Sequence, residues 1–88
     1  MKDIIKKSSF FKALSDPIRL KIIDYLLKKQ SPTCICELSE AIQRDQSVIF
    51  RHVQLLVQSG IIHAEKENKF LMCTIKDKEK IEMLLDSA

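Results

Sequence analysis

The sequence predicts a mainly α-helical domain that carries one small β-hairpin. Three observations point there. The 88 residues include one Gly and two Pro, so there is little material for long open loops. Both prolines stand directly behind a residue that can cap a helix, in Asp16–Pro17 and Ser31–Pro32. After Gly60 the helical spacing of apolar residues gives way to the shorter runs of "IIHAEKENKFLMCTI".

Each element follows from its own residues. In "KDIIKKSSFFKALS", Ile4, Ile5, Phe11 and Leu14 fall near one helical face, with Lys2, Lys6, Lys7 and Lys12 on the other side. Asp16 caps a second helix that starts at Pro17 and runs to about Lys29, with Leu20, Ile23 and Leu27 as its expected buried stripe. Lys28 and Lys29 suit the negative end of that helix. Ser31 is the expected cap and Pro32 the first residue of a third helix, in which Ile35, Leu38 and Ile42 recur at helical spacing. "QRD" interrupts the pattern, and Asp45 caps a fourth helix whose core face is Ile49, Val53, Leu56 and Val57. Gly60 fits the left-handed position that closes it. Two strands then flank a turn at Glu67–Asn68–Lys69, and Asp77 caps a last helix with Ile81, Leu84 and Leu85 on one side.

The bulk numbers bound the possibilities. Residues 1–88 read as a single domain, and a chain this short buries only about 60–65% of its unfolded surface. A homodimer is a natural source of extra core, through the apolar stripes of the first and last helices. A formal charge of +3 permits a nucleic-acid partner without demanding one. No apolar run reaches the about 18 residues of a membrane span, and the lysine-rich N-terminus lacks a signal-peptide core, so a cytoplasmic protein is expected. Three cysteines, two of them only two residues apart, suggest free thiols. No nucleophile–base spacing, phosphate-binding glycine loop or paired carboxylate motif suggests an enzyme.

The third and fourth helices, separated by a short break, make a helix-turn-helix, and the hairpin behind them makes a wing. The expected fold is therefore a winged helix-turn-helix in the order ααααββα. Ser39 and Ala41 are small enough for close approach of the two helices. In such a motif the second helix enters the major groove of double-stranded DNA. Gln46 and Gln54 suit adenine edges, Arg51 suits guanine or a phosphate, and Ser47 suits a phosphate. Phe50 either touches a thymine methyl or covers the core. Lys66 and Lys69 on the wing suit phosphates. All these polar residues also suit a plain solvated surface.

Cys34 and Cys36 form a separate candidate. Residues two apart on a regular helix point about 200° apart, so one ion engages both sulfurs only if the first turn opens. A helix N-terminus favours thiolates, and two sulfurs suit soft ions such as arsenite, Cd²⁺, Pb²⁺ or Cu(I). Two small apolar residues flanking Ile35 would look the same. Cys73 reads as a packed residue of the second wing strand, with a third ligand to the same ion as the lesser alternative.

Three stretches together resemble the ArsR/SmtB family of winged-helix regulators. "FKALSDPIRLKIIDYLL" resembles its second-helix signature, "CICEL" its metal-binding motif, and "DQSVIFRHVQLLVQSGII" its recognition helix and glycine close. The resemblance covers roughly Phe11 to Ile75. It implies a homodimeric repressor that binds an operator and leaves it when an inducer, here a thiophilic metal or metalloid at Cys34 and Cys36, is bound. The chain departs from the pattern at Phe50, where the family usually has Ser, at Gln43, where Gly is common, and at a wing tip without Arg-x-Gly-Arg. Ser39 stands where some arsenic sensors have a third cysteine, and the last helix lacks the family's zinc ligands. Two other readings are a repressor whose cysteine pair is a redox switch and a winged-helix protein-interaction module that does not bind DNA.

Overall fold

The computed structural model describes residues 11–86, and Asp16 sets its first long helix. A short helical segment, α1 (11–14), leads to Asp16, whose carboxylate accepts hydrogen bonds from the backbone N–H groups of Ile18 (2.8 Å) and Arg19 (3.2 Å). Helix α2 then runs Pro17–Lys29, as the cap and proline predict. Burial works against the Asp16 charge, but the N–H bonds from Arg19 and Ile18, helped by the Arg19 charge, outweigh it and lower its pKa. Such a depressed group stabilises the fold above the ordinary carboxylate range, and the contribution is lost as pH falls through the folded-state value. Asp16→Ala is expected to lower stability by about 0.5–2 kcal/mol near neutrality. In urea melts the gap between the variant and the native chain should narrow in acid.

Two residues behind α2 differ from expectation. Ser31 does not cap a helix and Pro32 does not begin one. Thr33–Cys34 instead form a short strand, β1, and α3 is Ile35–Ile42. Tertiary pairing wins here, because β1 gains a ladder against a strand some forty residues downstream. Cys34 becomes the N-cap of α3, with its Sγ accepting from the Glu37 N–H at 3.2 Å. Helix α4 is Gln46–Gln58. Asp45 occupies its N-cap position without a side-chain capping bond.

Gly60 closes α4 as predicted, at φ +77°. The Ile61 N–H reaches the Leu56 carbonyl (3.0 Å) and the Gly60 N–H reaches that of Val57 (3.1 Å), the paired bonds of a Schellman close. A Cβ at Gly60 would meet nothing within 4 Å, so backbone conformation and not space asks for glycine. The wing is β2 (Ile62–Glu67) and β3 (Phe70–Ile75), turned at Asn68 and Lys69 with Asn68 left-handed at φ 55°. Helix α5 (Lys78–Asp86) follows Asp77, which caps the Lys80 N–H at 3.2 Å. The sheet order is β1-β3-β2, antiparallel throughout.

The core lies between the helices and the inner face of this sheet. Ile23, Leu38, Ile49, Val53, Leu56 and Ile62 are buried within it. The α2 stripe is rotated from the expected one: Ile22, Ile23 and Leu26 are buried, while Leu20 is exposed and Leu27 only half-buried. Val57 is likewise exposed on α4, and Ala41 is exposed on α3 and takes no part in helix approach. Ile81 is committed to the core of its own chain. Of the expected α1 stripe, Phe11 is exposed and Leu14 half-buried, and Ile4 and Ile5 lie outside the described residues.

Candidate nucleic-acid interface and cysteine pair

The turn between α3 and α4 is built by short-range polar bonds. Gln43 ends α3 in the left-handed conformation (φ 60°), where glycine is the easier residue. The Ser39 hydroxyl donates to the Arg44 carbonyl at 2.5 Å, and the Arg44 guanidinium donates to the Gln43 carbonyl at 3.0 Å. Ser39 thus serves the turn. Helix α4 buries Ile49, Val53 and Leu56. The helical period then turns Ser47, Arg51 and Gln54 to the opposite side, and all three are exposed. Gln46 and Phe50 are also exposed, flanking that face, and Phe50 at 41% exposure does not cover the core. Lys66 and Lys69 are exposed on the wing.

One bridge was not legible in the sequence. The Arg19 guanidinium donates from Nε to the Ala13 carbonyl (2.7 Å) and from Nη2 to the Lys12 carbonyl (3.1 Å). Its third arm, Nη1, lies 3.2 Å from Nδ1 of His52 on α4. Arginine only donates, so this contact is a hydrogen bond in the tautomer whose Nδ1 is free to accept. A single side chain therefore ties the end of α1 to the helix that carries the candidate DNA face.

The cysteines differ from expectation in a second way. Cys34 and Cys36 are not free thiols: their sulfurs are bonded, with Cα atoms 5.3 Å apart. The helical argument for sulfurs 200° apart fails because Cys34 is extended (φ −77°, ψ 159°) and precedes the helix. The two side chains therefore converge without any opening of the first turn. Glu37 holds this region to α2: its carboxylate accepts from the Tyr25 hydroxyl at 2.5 Å and pairs with Lys29 at 2.9 Å. Those two partners, Tyr25 first, hold the Glu37 carboxyl below its usual range. The link is present above the ordinary carboxylate range and is lost as pH falls through the depressed value. Cys73 is buried in the core, and that burial pushes its thiol up to about 11. Among the described residues, no three His, Cys, Asp or Glu side chains are grouped to hold a metal ion.

Residues 16–64 match the family model described as bacterial regulatory protein, arsR family. This chain belongs to the arsR family. As an ArsR-family member it is a transcriptional regulator and not an enzyme. It is 32% identical over 92 residues to a cadmium resistance transcriptional regulatory protein CadC homolog from Staphylococcus aureus, covering 99% of this chain and 74% of that one. Its fold resembles HlyU from Vibrio cholerae with a TM-score of 0.80 at 27% identity, over 97% of this chain and 94% of that one. It also resembles a homodimeric winged helix-turn-helix DNA-binding domain from Mycobacterium bovis, with a TM-score of 0.79 at 19% identity, over 94% and 81% of the two chains. The last likeness bears on the fold alone, and it agrees with the winged helix-turn-helix expected from the residues. The strand β1 is the addition.

Proposed function

We propose that this ArsR-family chain is a cytoplasmic, homodimeric, sequence-specific DNA-binding repressor whose inducer site is the Cys34–Cys36 pair. The observation that carries the DNA reading is the outward face of α4, where Ser47, Arg51 and Gln54 are exposed together behind a hydrogen-bonded turn. In this reading Arg51 pairs with a guanine edge or a phosphate, Gln46 and Gln54 with adenine edges, and Ser47 with a phosphate. Phe50 packs on a thymine methyl, and Lys66 and Lys69 neutralise phosphates and make affinity fall with salt. Two such helices must sit one DNA turn apart, about 34 Å, which calls for a two-fold dimer. The terminal helices supply its interface in this reading; Phe11 and Met83 are exposed at 60% and 70%. The Mycobacterium bovis domain named above is described as homodimeric.

The inducer in this reading is a thiophilic ion such as arsenite or Cd²⁺, in keeping with the relative named for cadmium resistance. An ion held by Cys34 and Cys36 pulls on the start of α3, the helix that supports α4. A coupling of about 1.4 kcal/mol is enough to lower operator affinity tenfold. The Cys34–Cys36 bond favours a second reading, in which oxidation is the signal. There, peroxide takes two thiols to the disulfide and leaves two waters.

Arg51→Ala is expected to weaken operator binding by about 1–3 kcal/mol and to relax base preference, as measured by fluorescence anisotropy on operator and scrambled duplexes. Light scattering should show a dimer. The same titration on the reduced chain should show release by arsenite or Cd²⁺, absent in a Cys34→Ser, Cys36→Ser double variant. Release only by peroxide selects the redox reading. Unchanged DNA affinity in Arg51→Ala overturns the assignment of α4, and no binding to any duplex leaves α4 as a protein-docking surface.

A further inference from the structure

We propose that Met72 joins Cys34 and Cys36 in a three-sulfur site that, once the cysteines are reduced, takes Cu(I) in preference to zinc, cadmium or arsenite. This rests on the reading of the cysteine pair as an ion site and names its third donor and its metal. The β1–β3 ladder sets Cys34 opposite Met72 and Thr33 opposite Cys73. Residues directly opposed in an antiparallel pair project from the same face, with Cβ atoms about 4.5–5.5 Å apart. Burial identifies the faces independently. Thr33 and Cys73 are buried at 1% and 0% exposure on the core side, whereas Cys34 and Met72 are both half-buried on the other. Cys36 reaches the same point, because its sulfur is bonded to that of Cys34. The register and the disulfide thus set Cys34, Cys36 and Met72 on one side of the ladder beside the N-terminus of α3, and Cys73 on the other.

The donor set decides the ion. Thiolate and thioether sulfur together suit Cu(I), which is soft and accepts few ligands. Zinc in a structural site asks for four N, S or O ligands, and a thioether is a poor one. Arsenite forms each As–S bond by condensing As–OH with S–H and releasing water, and a thioether has no S–H to give. Two thiolates, one thioether and Cu⁺ leave a single negative charge. The helix N-terminus faces that charge, with the Glu37 N–H already directed at the Cys34 sulfur at 3.2 Å. The Glu37 carboxylate is occupied by Tyr25 and Lys29 and does not compete as a ligand.

The test uses the full chain, reduced with a water-soluble phosphine, which becomes the phosphine oxide as the disulfide becomes two thiols, one water supplying the oxygen and both protons. Cu(I) is delivered anaerobically as its coloured bathocuproine disulfonate complex, and loss of colour reports transfer to the protein. The native chain should take one Cu(I) with release of two thiol protons. Met72→Leu, which keeps the volume and removes the sulfur, should weaken Cu(I) at least by the about 10- to 100-fold that loss of even an outer partner costs a metal site. It should leave Cd²⁺ affinity and circular dichroism unchanged, and copper X-ray absorption should lose one sulfur neighbour. Native-like Cu(I) affinity in Met72→Leu overturns the Met72 assignment and leaves the cysteine reading standing. Equal loss of Cu(I) and Cd²⁺ overturns it too, since Met72 then only supports the cysteines by packing. No binding of any soft ion by the reduced native chain overturns both readings.

Discussion

Leu38→Ala is expected to lower the stability of the domain by about 2–5 kcal/mol. Leu38 is fully buried on α3, in the core cluster that α3 shares with α2, α4 and the sheet. Truncation removes the transfer energy of the lost carbons and leaves a cavity that packed helices fill only in part. A domain of 88 residues has little in reserve, because total stabilities are commonly about 5–15 kcal/mol and small chains sit low in that range. The midpoint of urea unfolding should fall sharply with an unchanged slope. Ala41→Ser on the exposed face of the same helix should change stability by no more than about 0.5 kcal/mol. A cost below about 1 kcal/mol for Leu38→Ala would mean that α3 is not held by this core. DNA binding should fall with stability in the same variant, since α3 carries the turn that orients α4.

Arg19→Ala is the second large effect, about 2–3 kcal/mol. It removes three charge-assisted hydrogen bonds, to the carbonyls of Ala13 and Lys12 and to His52 Nδ1, with some return from water because the site is only partly buried. Arg19→Lys should not restore them, since a point-like ammonium does not span three acceptors in different directions. The His52 arm can be tested separately. His52→Asn keeps an acceptor near the position of Nδ1 and should preserve most of the contact, while His52→Gln should not. Nitrogen NMR of the native imidazole should find Nδ1 unprotonated and Nε2 protonated. A ring with the proton on Nδ1 would exclude the bridge. If the bridge sets the pose of α4, Arg19→Lys should weaken operator and scrambled DNA alike, in contrast to Arg51→Ala.

What the sequence determined by itself is local. Asp16–Pro17, Asp77 and Gly60 each act through hydrogen bonds or a backbone angle within about one helical turn, so their effects are written in neighbouring letters. The outward face of α4 was legible for the same reason: a helical period fixes which residues oppose Ile49, Val53 and Leu56. The stripe of α2 was less legible. Leu20, Ile23 and Leu27 make as good a helical face as Ile22, Ile23 and Leu26, and only the elements packed against the helix choose between them. Tertiary structure alone decided the rest. A two-residue strand has no period, and β1 exists because Cys73 and Met72 arrive beside Thr33 and Cys34. That pairing draws Cys34 out of the helix, lets it meet Cys36, and turns Cys73 inward with Met72 on the opposite face of the ladder. The Arg19–His52 bridge spans 33 residues and depends on how α2 and α4 cross. Such contacts depend on where distant segments come to rest, and residue type and spacing do not record that.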